Sequence, residues 1–192
     1  MTRAAPADRG RVVDTVVTAF EADPAFRFFF PDHDSYREQA AAFTGHLFDR
    51  RVPHGTVWIV GGGVAVAMWD GPSGAGAAAP DAAPALALPA GTMSRLEAYD
   101  AAVHAALPVV PHWYLGVVAT RPDHAGRRLG RAVMAAGLRE AAAAGLPAYL
   151  ETTNPGNVTL YQRAGWEVET SMTVQAVQVW VMKQLPSGPA TR

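Results

Sequence analysis

The sequence predicts an α/β fold built around one mixed β-sheet. Two stretches, 56–69 and 166–183, each contain two runs of β-type residues separated by a short turn, which is typical of antiparallel hairpins. Between them, residues 112–153 follow a strand–helix–strand order, which implies two parallel strands joined by a right-handed crossover. A sheet with one parallel pair and a hairpin on either side is mixed and mostly antiparallel.

Apolar residues at helical spacing predict the helices. The pattern predicts a first helix over 11–22, which Asp23-Pro24 ends. An aromatic loop at 26–31 separates it from a second helix over 36–50. The same spacing predicts three further helices, over 93–107, 126–144 and 157–164.

Runs of β-type residues bounded by turn residues predict the strands. Their predicted ranges are 56–60, 64–69, 112–121, 147–153, 166–173 and 176–183. The apolar run within 112–121 does not alternate, which indicates burial on both faces of the sheet. Residues 70–91 are dominated by Gly, Ala and Pro, so we expect a flexible connection there, either a mobile lid or an insertion.

The composition is that of one globular domain over residues 1–192. Hydrophobic residues make up 49% of the chain and charged residues 17%, which excludes a disordered chain. The absence of cysteine excludes disulfides and cysteine nucleophiles, and suits a cytoplasmic location. No apolar run approaches the ~20 residues that span a bilayer, and the first residues lack the apolar segment of a signal peptide.

Charge and histidine pattern argue against several kinds of partner. The formal net charge of -1 argues against nucleic-acid binding, and we expect no membrane partner. The histidines show no HxxxH-like pair, so we expect no metal site. A homodimer is left open, with Trp58, Val66, Trp69 and the final hairpin as candidates for its interface.

A Gly/Arg-rich stretch at 115–134, LGVVATRPDHAGRRLGRAVM, combines a strand end, a loop and a helix start. The N–H groups and dipole of a helix N-terminus can hold a phosphate, and arginines add charge-assisted contacts. A nucleoside-triphosphate loop would end in Gly-Lys-Ser/Thr, but here Gly130 is followed by Arg131-Ala132. The GxGxxG spacing of dinucleotide sites is also absent. The alternative interpretation is a solvated, arginine-rich helix start.

A second motif lies in NPGNVTLYQRAGW, where Asn157 and Tyr161 share one helical face. Asn157 is also a candidate N-cap for this short helix. Together, the two motifs resemble those of the GNAT superfamily of N-acetyltransferases. The matching residues are Pro122, Gly126, Gly130, Arg131 and Ala132 in the first motif, and Asn157, Tyr161, Gly165 and Trp166 in the second.

Longer segments extend this resemblance over most of the chain. Residues 57–69, 112–130 and 145–166 are most similar to the puromycin N-acetyltransferase group within the superfamily. Two positions depart from the first motif. Ala125 stands at a usual Gln or Arg, and Arg128 stands at a usual glycine.

The resemblance implies a fold, a cofactor and a reaction. The implied sheet is mixed and mostly antiparallel, with six or seven strands, helices on both faces and a splayed parallel strand pair. The implied reaction transfers an acetyl group from acetyl-CoA directly to a primary amine of a small molecule, an aminonucleoside antibiotic being one candidate. The implied cofactor-binding residues are Val118, Ala119, Thr120, Ala125, Gly126, Arg127, Arg128, Leu129, Gly130, Arg131, Asn157 and Tyr161.

The resemblance also implies catalytic roles. Tyr161 would protonate the departing thiolate as general acid. A general base must deprotonate the amine, and Glu151 is the first candidate because ligands bind at the carboxyl ends of parallel strands. His112 and Asp23 are further candidates for the base. The residues expected to contact the substrate are Asp23, Phe26, Phe30, His112 and Glu151.

Two other functions stay open at this point. The acceptor amine could belong to a protein N-terminus or a lysine rather than to a small molecule. The domain could also bind acyl-CoA without catalysing a reaction. In that case the departures from the motif at Ala125 and Arg128 would reflect the loss of catalytic activity.

Overall fold

The chain folds around one seven-stranded sheet, seen in a computed structural model that describes residues 1–72 and 85–186. Its strands are β1 (Thr2–Arg3), β2 (Val57–Val60), β3 (Ala65–Asp70), β4 (Trp113–Thr120), β5 (Ala148–Thr152), β6 (Glu167–Val174) and β7 (Val177–Gln184). The order across the sheet is β1-β2-β3-β4-β5-β7-β6. Strands β4 and β5 pair in parallel and the other neighbours pair antiparallel. The predicted mixed, mostly antiparallel sheet is therefore confirmed.

Helices of the described residues cover both faces of the sheet. They are α1 (Arg9–Ala19), α2 (Pro24–Phe29), α3 (Tyr36–Arg51), α4 (Ala90–Ala106), α5 (Leu129–Ala143) and α6 (Pro155–Gln162). Single 3-10 turns occupy Pro6–Asp8, Val52–His54 and Pro122–His124. No helix in the described ranges is long and apolar enough to cross a membrane. Most of the predicted flexible connection, residues 73–84, lies outside the described residues.

Two elements differ from the sequence prediction. Strand β1 spans two residues, which is too short to show a periodic pattern. Asp23-Pro24, interpreted as the end of a helix, instead begins α2. The Asp23 carboxylate caps that helix by accepting hydrogen bonds from the N–H groups of Ala25 (2.9 Å) and Phe26 (3.2 Å). Proline is well suited to the first helical position, so the dipeptide starts a helix, and most of the predicted aromatic loop at 26–31 belongs to α2.

Two apolar cores lie on opposite faces of the sheet. One packs α1 to α4 against the sheet, and the other packs α5 against it. Trp58, Val66 and Trp69, considered above as dimer-interface residues, are 6%, 0% and 0% exposed. They belong to these cores and cannot present a surface to a second chain, so that prediction is wrong for these three residues.

Close packing of α5 on β3 depends on Gly137. A Cβ atom added at Gly137 would lie 2.2 Å from Cε2 of Trp69, whose side chain is fully buried and cannot move aside. We expect Gly137→Ala to lower the free energy of unfolding by about 1–3 kcal/mol through overpacking. In a domain of this size, each kcal/mol lowers Tm by about 2–4 °C. Thermal unfolding followed by circular dichroism measures the change.

Gly10→Ala is the matched control. Gly10 also lies in a helix, but a Cβ atom there would have no neighbour within 4 Å. We expect its Tm to be unchanged or slightly higher, because alanine is the better helix former. Equal losses of Tm in the two variants would show that helix propensity rather than the Trp69 contact controls stability here.

Candidate active site

Strands β4 and β5 pair over a short distance and then separate. The paired residues are Trp113 with Ala148, Tyr114 with Tyr149, and Leu115 with Leu150. Beyond these pairs, β4 follows β3 as far as Thr120, while β5 follows β7 as far as Thr152. The structure therefore contains the splayed parallel pair that the resemblance implied.

A β-bulge at Gly116 marks the point of separation. The register against β3 shifts between Met68 and Trp69, so Gly116 has no partner on that strand. The extra residue changes which face the next side chains occupy: Leu115 packs in the α5 core, whereas Val117 packs in the opposite core. Apolar side chains of β4 therefore pack in both cores, which explains why this run does not alternate in the sequence.

Beyond the bulge, peptide groups of β4 face the gap between the strands. The N–H of Arg121 donates to the carbonyl oxygen of Val64 at 2.9 Å, and such pairs alternate along an antiparallel ladder. The N–H and C=O groups of Val118 and Thr120 therefore point away from β3, toward the gap, whereas those of Ala119 point toward β3. An extended ligand can pair with this edge as an additional strand would.

A cavity of about 320 Å³ opens where the strands separate. Glu151 from the end of β5, Asn157 and Tyr161 from α6, and Asp23 from the start of α2 all line it. Val118 of β4 forms part of the same wall. With Phe26, the structure thus brings together six of the site residues that the sequence analysis singled out.

Phe26 lines this cavity, but Phe30 and His112 do not. Phe30 is 1% exposed and packs in the core. His112 is 3% exposed, with Nδ1 2.9 Å from the carbonyl oxygen of Val110. Neither side chain is therefore positioned to touch a substrate here. Other aromatic residues of the same region form the wall instead, namely Phe20, Phe29 and Phe43.

The Glu151 carboxyl group is partly buried and accepts a hydrogen bond at Oε2 from the hydroxyl of Tyr114. Burial raises the pKa of Glu151 to about 7, although the bond from Tyr114 and the nearby charge of Arg51 act in the opposite direction. A carboxyl group with a pKa close to neutrality can accept and release a proton under physiological conditions, as a general base must.

Helix α6 presents Asn157 and Tyr161 on its cavity side. Asn154, rather than Asn157, is its N-cap, since Oδ1 of Asn154 accepts from the N–H of Gly156 at 2.9 Å. The Tyr161 ring packs against Trp166, with ring centroids 6.2 Å apart. Burial raises the pKa of Tyr161 above its ordinary value, so its hydroxyl remains protonated at neutral pH and is available as a donor.

The sequence analysis did not identify three further residues of the cavity wall, Arg51, Tyr99 and Tyr114. Arg51, at the end of α3, is 8% exposed and donates to Oδ2 of Asp70 at 2.5 Å. A Cβ atom added at Gly116 would lie 2.9 Å from Nη2 of Arg51, so the bulge glycine makes room for this guanidinium. No pattern in the sequence marks these residues, because their proximity depends on tertiary packing.

The Gly/Arg-rich loop connects β4 to the N-terminus of α5. Arg121 is bound to Asp14, with Nη1 2.5 Å from Oδ2. Arg127, Arg128 and Arg131 are exposed, and none of them has an ion pair with any described residue. Their charges, together with the N–H groups of the first turn of α5, form a surface suited to a phosphate group.

Arg128 adopts the left-handed backbone conformation, with φ of 59°, at the N-cap position of α5. This conformation explains why the first motif usually has glycine here, since a Cβ atom is strained in it by about 1–2 kcal/mol. The side chain that departs from the motif is therefore accommodated at an energetic cost in the backbone.

Arg128→Gly is expected to stabilise the protein. Relief of the left-handed strain should raise the free energy of unfolding by about 1 kcal/mol and Tm by about 2–4 °C. Arg127→Gly removes the same charge from the same loop at a residue without positive φ. It should leave Tm unchanged or lower it, because glycine adds freedom to the unfolded chain. A lower Tm for Arg128→Gly than for Arg127→Gly would contradict the conclusion that the backbone conformation of Arg128 is strained.

Glu151 should also make stability depend on pH. With a pKa of about 7 in the folded protein against 4.5 ordinarily, it binds a proton in the folded state that the unfolded state has lost. The contribution of Glu151 to the free energy of unfolding therefore decreases as pH rises from about 4.5 to 7 and stays low above that range. The difference in free energy of unfolding between Glu151→Gln and the native chain should therefore shift in favour of the variant by up to about 3 kcal/mol when the pH is raised from 5 to 8. Urea unfolding at both pH values measures this gain, and a constant difference would refute the raised pKa.

The fold is shared with known acetyltransferases. At 26% sequence identity and a TM-score of 0.67, the chain resembles a Corynebacterium glutamicum protein described as histone acetyltransferase HPA2 and related acetyltransferase, covering 98% of this chain and 97% of that one. Drosophila melanogaster polyamine N-acetyltransferase has 14% identity, a TM-score of 0.66 and coverage of 96% and 98%. A putative arylalkylamine N-acetyltransferase of the yellow fever mosquito has 14% identity, a TM-score of 0.67 and coverage of 96% and 86%.

A match in sequence accompanies this likeness in fold. The model of the acetyltransferase (GNAT) family matches residues 17–166, which include the β4–β5 pair, the Gly/Arg-rich loop and α6. With this match and the splayed sheet described above, the chain belongs to the acetyltransferase (GNAT) family and is an acetyl-CoA-dependent acyltransferase.

Proposed function

We propose that this chain transfers the acetyl group of acetyl-CoA to the amine of a small molecule, directly and within one ternary complex. The main support is that Glu151 and Tyr161 line one cavity at the open end of the β4–β5 pair. One side chain can take a proton and the other can give one, which are the two proton transfers that the reaction requires. A single domain over residues 1–192 is part of the proposal, supported by the one sheet that the described strands form.

The residues present fit acetyl-CoA, which supplies an acetyl group activated as a thioester. The peptide groups of Val118 and Thr120 that face the gap suit the amide groups of the pantetheine arm. Arg127 and Arg131, beside the first turn of α5, suit the pyrophosphate. Asn157 offers an amide side chain at the cavity wall. These groups would hold the cofactor with its acetyl end in the cavity.

Glu151 is the general base of this proposal. The acceptor amine is largely ammonium at neutral pH, and a carboxylate with a pKa of about 7 can remove its proton, directly or through water. Asp23 is less suited, because its Oδ1 is committed to capping α2. Its negative charge at the cavity wall would instead attract the cationic acceptor.

Tyr161 is the proposed general acid. Its hydroxyl lies in the cavity wall on the α6 side and stays protonated at neutral pH, because burial raises its pKa. It would donate that proton to the departing thiolate sulfur. The departing thiolate is a stronger base than the carboxylates that line the cavity, so it is the group that would take this proton.

The lining favours an amine that carries an aromatic or other apolar group. Aromatic side chains form much of the wall: Phe20, Phe26, Phe29, Phe43, Tyr99 and Tyr114. The carboxylates of Glu97 and Asp100 on α4 lie at the exposed mouth, where they would attract an ammonium group. Apolar walls with a few placed charges are typical of sites for such ligands. The aromatic lining therefore suits an arylalkylamine or an aminonucleoside antibiotic.

An amine screen tests the proposal. The purified chain, with acetyl-CoA, would be offered arylalkylamines, aminonucleosides including puromycin, polyamines and peptides, with release of CoA thiol and the mass of the products as readouts. We expect aromatic monoamines to be acetylated with the highest kcat/KM. Preference for peptides or polyamines would contradict the proposed acceptor, and binding of CoA without turnover of any amine would contradict catalysis.

Two variants test the catalytic roles. Glu151→Gln should lower kcat/KM by about 10²-fold or more at pH 8. The loss should shrink below pH 6, where Glu151 of the native chain is itself protonated. Tyr161→Phe should lower kcat at every pH by about 10²-fold. Glu167→Gln, at an exposed position on β6, is the control and should leave both constants unchanged. If either catalytic variant retains the kcat of the native chain, the proposed catalytic role of the substituted residue is wrong.

A further inference from the structure

Tyr114 stands where the two parallel strands are about to separate. It pairs with Tyr149 in the ladder, and one further pair, Leu115 with Leu150, follows before the strands diverge. Glu151 is the first residue of β5 beyond this pairing. The side chain of Tyr114 reaches forward past the last pair, and its hydroxyl donates to Oε2 of Glu151.

We propose that Tyr114 is a positioning residue of the acetyl-transfer reaction: its hydroxyl holds the Glu151 carboxylate at the open end of the strand pair, with Oε1 left for the proton of the acceptor amine. The inference deepens the proposed function and rests on Glu151 as base. Among the described residues, Tyr114 is the side chain that donates a hydrogen bond to Glu151, and Oε1 has no side-chain donor.

Packing fixes the Tyr114 ring in this position. Its Cε1 atom would lie 3.4 Å from a Cβ added at Gly116, in ordinary van der Waals contact. The ring also packs against the core that α1 to α4 form, while the space at the bulge glycine is needed by the Arg51 guanidinium. Because packing already orders the ring, the Tyr114 side chain loses little further conformational freedom when its hydroxyl donates to the carboxylate. The charge-assisted hydrogen bond is therefore formed at a low entropic cost.

Tyr114 can act only as a donor in this pair. Burial, together with the charge of Glu151, raises the pKa of Tyr114 well above its ordinary value. Its hydroxyl therefore keeps its proton throughout the pH range in which Glu151 titrates. A donor of this kind stabilises the charged carboxylate over the neutral acid and so lowers the pKa of the base from the value that burial alone would produce.

Other titratable and charged groups line the cavity around the same carboxylate, from neighbouring elements. They are Arg51 on α3, Tyr99 and Asp100 on α4, Asp23 at the start of α2, and Tyr161 on α6. The positive charge of Arg51 lowers the pKa of Glu151 and the negative charge of Asp100 raises it. These groups act through space, whereas Tyr114 contacts the carboxylate directly, so removal of its hydroxyl leaves the other influences in place.

The test compares Tyr114→Phe with the native chain by two readouts. The first is the titration of the Glu151 carboxyl carbon by NMR in the 13C-glutamate-labelled protein without ligands, assigned with Glu151→Gln. The second is the pH profile of kcat/KM for the best amine. We expect the NMR midpoint and the acidic limb of the profile both to move up by about one pH unit, the effect of losing a hydrogen bond to a charged group. At pH 9, where Glu151 is ionised in both proteins, kcat/KM should remain about three- to tenfold below native, because the carboxylate is no longer held toward the acceptor amine.

Tyr149→Phe is the matched control. Tyr149 opposes Tyr114 in the ladder and is 4% exposed, but does not line the cavity. Loss of its hydroxyl should move neither midpoint. Tyr114→Phe keeps the ring and its packing against the core, so the variant is expected to fold as the native chain does.

The two readouts separate the inference from the function on which it rests. An unchanged NMR midpoint in Tyr114→Phe would overturn the role of Tyr114, whatever the activity. A shifted midpoint with an unchanged kinetic limb would show that Tyr114 holds Glu151 but that Glu151 is not the base. If the acidic limb of the pH profile of kcat/KM moves by the same amount in Tyr149→Phe as in Tyr114→Phe, the role of Tyr114 is structural only.

Discussion

The early separation of β4 from β5 is the constraint on which the rest of the site depends. Had the two strands continued to pair, the peptide groups of Val118 and Thr120 would be used within the sheet, and Glu151 would lie inside a closed ladder. The bulge at Gly116 allows β4 to leave its partner while remaining bonded to β3. The same departure produces the edge that can receive an extended ligand, the cavity that can receive a second one, and the space for Arg51. A single irregularity in one strand thus positions both halves of a two-substrate site.

Burial and hydrogen bonding act on Glu151 in opposite directions, and the balance defines its chemistry. Removal from water favours the neutral acid, whereas the Tyr114 hydroxyl and the Arg51 charge favour the carboxylate. The result is a group close to half ionised at neutral pH, which neither a surface glutamate nor a fully enclosed one would be. Tyr161, without such a partner, stays fully protonated. Two oxygen acids in one cavity are therefore prepared for opposite proton transfers by their surroundings alone.

The sequence predicted the parts of the fold and site that depend on local patterns. Residues 112–153 have clear periodicity and turn signals, so the parallel pair and its crossover could be predicted, and the i, i+4 spacing placed Asn157 and Tyr161 on one face. Strand β1 is too short for a pattern, and Asp23-Pro24 is compatible with a helix end and a helix start alike. Phe30 and His112 lie near the right elements but face the core. Arg51 and Tyr114 meet Glu151 through the bulge and the packing of α3, which no local pattern encodes.

The short β4–β5 ladder has a consequence for how the acceptor pocket can diversify. Pairing covers three residues of each strand, and each residue advances a strand by about 3.3 Å. One additional pair would draw the strands together across the floor of the cavity, and one fewer would deepen it by a similar step. Movement of the bulge along β4 would therefore change the depth of the cavity in steps of one residue, together with the length of the exposed edge that is proposed to hold the cofactor. The register of the backbone, and not only the size of the side chains, can therefore set how large an acceptor molecule the cavity admits.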